Sequence, residues 1–153
     1  MKRLLFLLLF TGIAFSCQKE YYTSIPDYPV NLELSLNGLD YSLNANLAYK
    51  VFPFDQPRLA KDRLGFGGIL VINGFSTNGN PVNLYAYDLA CPVEMQRTVR
   101  IVPDKSGGTA TCPKCGAVYT IATGTGAPKS GTKYYLKSYR VIDGGNGIYT
   151  VIN

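Results

Sequence analysis

Residues 30–36 read V-N-L-E-L-S-L, with apolar and polar positions in strict alternation. A period of two puts Val30, Leu32, Leu34 and Leu36 on one face of a strand. Asn37-Gly38 then turns the chain. Residues 39–48 are Asn-rich and irregular, and residues 48–52 predict a short strand that Pro53 stops. Residues 56–64 are polar and predict a loop or one turn of helix. Residues 66–73 (F-G-G-I-L-V-I-N) are apolar without alternation, which predicts a buried strand with a bulge at Gly67-Gly68. Asn78-Gly79-Asn80 is a hairpin turn, and residues 82–89 are the return strand. Shorter strands follow at residues 98–102, Thr109–Thr111 and residues 117–121, and then a glycine- and proline-bearing loop at residues 124–131. Residues 134–142 pair with Ile148–Ile152 across Asp143-Gly144-Gly145-Asn146-Gly147. No stretch sustains a helical period. Turn signals about every ten residues predict an all-β antiparallel sandwich or barrel, not a doubly wound nucleotide-binding fold.

The first 16 residues follow a different pattern. Lys2 and Arg3 precede a mostly apolar run at residues 4–15, which Ser16 and Cys17 end. The run is too short for a membrane-spanning helix, which needs roughly 20 residues. Basic start, short apolar core and small residue describe an export signal, and Ala14-Phe15-Ser16 also suits a simple secretory cut. Cys17 directly after the small residue resembles the bacterial lipoprotein signal. In that class the mature chain starts at the cysteine and is anchored through its lipid. No Asp follows Cys17. Lys19-Glu20 resembles, one acid short, the surface-export signal of some Bacteroidetes lipoproteins. The predicted organisation is a signal at 1–16, a lipid-anchored tether at 17–29 stiffened by Pro26 and Pro29, and one domain at 30–153. The expected location is the cell envelope, at the outer membrane or cell surface, with an unidentified protein as partner.

Charge adds little. The formal net charge of +5 falls to +3 when Lys2 and Arg3 leave with the signal. This scattered excess gives no nucleic-acid footprint. The chain has 12 Tyr; those in predicted strands, Tyr119 among them, suit core and cross-strand packing. With no His and no G-x-S-x-G, the sequence offers no serine- or histidine-based nucleophile. Its carboxylates are dispersed, and no catalytic residue is assigned.

The cysteines carry the remaining chemistry. Setting Cys17 aside for the lipid leaves Cys91, Cys112 and Cys115. Three is odd, so one disulfide leaves a free thiol, or all three serve a metal, or all are reduced and buried. In an exported protein a disulfide is the default. Cys112-Pro113-Lys114-Cys115-Gly116 is also a zinc-knuckle sequence, although a tetrahedral site wants a fourth ligand. C-x-x-C is also the spacing of redox dithiols, which usually sit at a helix N-terminus. Here the flanking segments read as strands.

The layout resembles the Rieske iron–sulfur domain. That family carries C-x-H in one loop and C-x-x-H-G in a second. Here the loops read Cys91-Pro92-Val93 and Cys112-Pro113-Lys114-Cys115-Gly116, within cluster-type loops spanning about residues 88–130. Leu84-Tyr85-Ala86-Tyr87-Asp88 is similar to the strand entering the first loop. Gly126-Ala127-Pro128 is similar to the proline loop over the cluster, and Tyr135 to Val141 to the strand returning to the base sheet. The resemblance runs from about Gly67 to Ile152, and extends to a Bacteroidetes group of Rieske-like lipoproteins with a C-P-x-C-G second loop. It implies a Rieske-like sandwich or barrel with a small two-loop subdomain, and cluster ligands at Cys91 and Cys112. The two histidine positions fall on Val93, which has no donor atom, and on Cys115. A 2Fe–2S Rieske cluster needs two Cys and two His. Ala117 replaces a serine that often hydrogen-bonds the cluster. Asp88 or Glu94 can offer a fourth ligand, although neither holds a ligand position of the family.

The resemblance therefore implies a degenerate site without a cofactor, in a non-catalytic structural or binding module. A disulfide, Cys91–Cys112 or Cys112–Cys115, then replaces the cluster as cross-link; Cys91–Cys112 is favoured, since a C-x-x-C bridge constrains little, and is worth about 3 kcal/mol for a loop of this length. The alternative is an electron carrier that binds a 2Fe–2S cluster, zinc or another metal through Cys91, Cys112 and Cys115.

Overall fold

The computed structural model describes residues 22–76 and 79–153. The signal, Cys17 and Asn78 of the predicted hairpin turn lie outside the described residues. The chain is all-β and antiparallel, with a nearly closed, barrel-like sheet of seven strands and a smaller sheet of four. The strands are β1 (Val30–Ser35), β2 (Tyr49–Pro53), β3 (Arg63–Leu64), β4 (Gly68–Asn73), β5 (Leu84–Asp88), β6 (Val102–Pro103), β7 (Thr109–Thr111), β8 (Val118–Thr120), β9 (Pro128–Ser130), β10 (Ser138–Asp143) and β11 (Ile148–Ile152). The larger sheet runs β2-β4-β5-β10-β11-β1-β3 and the smaller β6-β7-β8-β9. Among the described residues the only helical element is a 3-10 turn, Tyr41–Asn44, and no helix is long and apolar enough to cross a membrane.

Two cores explain the two hydrophobic patterns. In β1, Val30, Leu32 and Leu34 point into the larger core while Asn31 and Glu33 face solvent. β4 is buried at every position because it divides the cores: Ile69 and Val71 enter the larger one, Leu70 and Ile72 the other. β5 does the same, with Leu84 and Ala86 on one side and Tyr87 on the other. A strand with both faces covered loses the alternation that one solvent face imposes. The second core joins the four-stranded sheet to β4 and β5 and contains Cys91, Cys112, Tyr119 and Ile121.

Four local expectations are corrected. Pro53 does not stop β2 but is its last residue, paired with Gly68. β2 is an edge strand, so the missing N–H interrupts no ladder. The polar stretch at 56–64 ends in β3, which pairs with β1. The strand expected at 98–102 shrinks to an isolated Ala90–Arg100 bridge and the two residues of β6. Here Arg97 folds inward, stacks on Phe54 at 4.0 Å and donates to the Phe66 carbonyl, which bends the chain out of a ladder. The glycine-bearing loop at 124–131 contains β9, paired with β8.

Residues 22–29 carry no regular secondary structure and pack against the domain. Ile25 is buried, Tyr22 accepts the Tyr135 N–H at 2.9 Å, and Ser24 donates to the Pro92 carbonyl in the first cysteine loop.

Candidate metal centre

The first loop leaves β5 through a fixed point. Asp88 is fully buried and accepts from Phe66 N–H (2.8 Å), Gly67 N–H (3.0 Å), Ala90 N–H (2.7 Å) and the Tyr139 hydroxyl (2.6 Å). Burial pushes its carboxyl above the ordinary range, against the pull of these donors. A Cβ on Gly67 would lie 2.6 Å from the Ala90 nitrogen, so only glycine lets the chain pass this close. Cys91 follows at once, its N–H bonded to the Val99 carbonyl at 2.9 Å. The second loop is the β7–β8 connection, closed by a bond from the Cys112 N–H to the Ala117 carbonyl at 2.9 Å.

These anchors bring the three cysteines together. Their sulfurs lie within 4.8 Å of one another, with Cys91 Sγ 3.6 Å from Cys115 Sγ. Cys91 and Cys112 are fully buried, and Cys115 is exposed at the rim. All three are free thiols here, so the two sulfurs proposed to pair, Cys91 and Cys112, share their site with a third.

The surroundings are built for sulfur. The Val93 and Glu94 amides point at Cys91 Sγ, and the Lys114 and Cys115 amides at Cys112 Sγ. Tyr119 Oη lies 3.7 Å from Cys91 Sγ. Burial dominates at Cys91 and pushes its thiol up to about 11. Burial also acts on Cys112, but the two amides and the neighbouring thiols outweigh it and lower this thiol. Cys112 is thus the easier of the buried pair to deprotonate, and thiolate is the form that binds metal. Lys114 Nζ bonds Glu94 Oε2 at 2.6 Å and links the two loops.

Other predicted residues fall outside this cluster. Val93 sits on the first loop, over a third exposed, and offers no donor atom. Asp88 spends its oxygens on its own four donors and supports the loop from behind. The C-x-x-C pair lies in a strand-to-strand turn, so no helix dipole acts on it. Tyr119, expected in core or cross-strand packing, also touches Cys91. It pairs with Ala110 across β7 and β8, a register not visible in three-residue strands.

No family model matches the chain, and no curated protein matches it either.

Proposed function

We propose that this chain is a non-catalytic metal-binding module with a degenerate Rieske-like site, held at the cell envelope by a lipid on Cys17. The observation that carries it is the convergence of Cys91, Cys112 and Cys115 within 4.8 Å, with backbone amides directed at the two buried sulfurs. Thiolates bind soft or borderline ions, and zinc accepts three sulfurs and one further ligand in a tetrahedral site. A small sheet beside a larger one, with the cysteine loops at β5–β6 and β7–β8, supports the Rieske-like reading. Three sulfurs mutually within 4.8 Å fit around one ion, and Val93 offers no donor where a cluster histidine would stand, which favours a single ion over a 2Fe–2S cluster. An ion here ties the β5–β6 loop to the β7–β8 loop and so serves the structure. The anchor rests on residues 1–17 of the sequence alone.

A second reading rests on the 3.6 Å contact between Cys91 and Cys115 sulfurs. Oxidation would join two of the three cysteines and leave a binding module with one free thiol. Metal analysis and a thiol count decide, on the full lipidated chain in detergent, purified with and without oxygen. One equivalent of zinc with all three thiols reduced supports the metal module. No metal and one free thiol overturn it in favour of the disulfide. Iron with matching sulfide makes the protein an electron carrier instead.

A further inference from the structure

The two cysteine loops are the same turn used twice. Cys91-Pro92-Val93-Glu94-Met95 and Cys112-Pro113-Lys114-Cys115-Gly116 both begin Cys-Pro. In each, the fifth residue's N–H returns to the first residue's carbonyl: Met95 to Cys91 at 3.0 Å, and Gly116 to Cys112 at 2.9 Å. In each, the fifth residue is left-handed, with φ of 52° at Met95 and 72° at Gly116. In each, the amides of the third and fourth residues point at the first residue's sulfur. A methionine rarely adopts positive φ, so its presence shows that the turn geometry is imposed on the first loop as well.

The repeat assigns a partner to every position. Cys91 corresponds to Cys112, and the fourth residue of the second turn is Cys115, whose sulfur joins the cluster. The fourth residue of the first turn is Glu94. We infer that Glu94 is the fourth ligand and completes a mononuclear three-thiolate, one-carboxylate site shared by the two turns.

Three observations support the assignment. The Glu94 side chain is only 15% exposed although it lies on a loop. Its carboxylate already reaches the opposite turn, where Lys114 Nζ holds Oε2 at 2.6 Å. Zinc takes carboxylate oxygen beside thiolate sulfur. Among the described residues the group within 4.8 Å holds the three sulfurs and not the Glu94 carboxylate, so binding draws the carboxylate off Lys114 and inward. The thiols release their protons to solvent as the metal binds. Three thiolates and a carboxylate around a divalent ion leave a charge of −2, which the four amides offset.

This inference rests on the metal-binding role proposed above, and its test separates the two. The full chain is titrated with zinc against a competing chelator and with cobalt(II), whose visible spectrum reports thiolate count and tetrahedral geometry. Glu94→Ala should weaken zinc binding by at least roughly 10- to 100-fold, the scale for losing even an outer partner of a ligand. Lys114→Met should hold or strengthen binding, because it frees the carboxylate. Glu94→Cys should restore tight binding and add a fourth thiolate to the cobalt spectrum, which also shows that the loop still folds. Equal weakening by Glu94→Ala and Lys114→Met would reduce Glu94 to an ion-pair partner and overturn the inference. Unchanged binding in Glu94→Ala would overturn it too, leaving three thiolates and water. No zinc or cobalt binding by the wild-type chain would instead defeat the metal-binding role itself.

Discussion

The Tyr119 hydroxyl lies 3.7 Å from Cys91 Sγ, so the smaller sheet places a hydrogen-bond donor against a fully buried sulfur. Burial pushes the phenol well above its ordinary range, which keeps its proton in place to donate. Tyr119→Phe keeps the ring and removes only that donor. Zinc affinity is expected to fall about 10-fold, in the range for outer-shell partners of metal ligands. Competition against a chelator measures it. Unchanged affinity would assign Tyr119 to packing alone.

The repeated turn predicts opposite responses at its two fifth residues. A Cβ on Gly116 would meet nothing within 4 Å, so any penalty there is conformational rather than steric. Gly116→Ala should destabilise the domain by about 1–2 kcal/mol, the cost of a left-handed L-residue. Met95 already carries that strain, and Met95→Gly should relieve part of it, offset by glycine's larger loss of freedom on folding. The net gain is expected to be at most about 1 kcal/mol. Urea unfolding of both variants checks the pair of signs.

How much of this was legible in the sequence depends on which force fixes each element. The alternation of residues 30–36 survives because β1 has one solvent face. The unbroken run at 66–73 read correctly as buried, but not as a strand dividing two cores, since that follows from where the second sheet packs. The strand expected at 98–102 failed because local propensity yielded to Arg97, whose partners Phe54 and Phe66 are distant in sequence. At the site, Cys91, Cys112 and Cys115 were all visible from their spacing. The equivalence of Glu94 and Cys115 was not, because C-P-V-E and C-P-K-C share two letters. Hydrogen bonds and φ angles, not composition, reveal one turn used twice.

Asp40 provides an acid-sensitive tie in the larger sheet's surroundings. Its side chain is buried, bonded to Lys50 at 2.8 Å and Arg58 at 2.9 Å, and accepts the Ser35 N–H at 2.9 Å. Burial pushes the carboxyl up, but Lys50, the Ser35 amide and Arg58 outweigh it and hold it below the ordinary value. A depressed folded pKa stabilises above the unfolded value, near 3.9, and that stability is lost as pH falls through the folded value. Asp40→Asn should cost about 1–3 kcal/mol at neutral pH, as charged hydrogen bonds are lost. Its unfolding midpoint should approach that of the wild type in acid. A gap between the two that persists at pH 2 would show that the tie is not electrostatic.

The metal-binding role also predicts where stability is stored. The two cysteine loops meet through the Cys91–Cys115 contact and the Glu94–Lys114 ion pair, and the four-stranded sheet is built from strands of two or three residues. Such strands make few ladder bonds, so an ion bridging Cys91 to Cys112 and Cys115 should stabilise this half more than the seven-stranded sheet. Zinc at 1,000 times its dissociation constant adds about 4 kcal/mol if the unfolded chain does not bind it. Amide hydrogen exchange with and without zinc should therefore show slowed exchange in residues 91–121, and little change in β1, β10 and β11. Chelation should reverse it, and Cys112→Ser should abolish it. Uniform protection of both sheets would mean that they unfold as one unit. Equal protection in Cys112→Ser would place zinc somewhere other than the three-cysteine cluster.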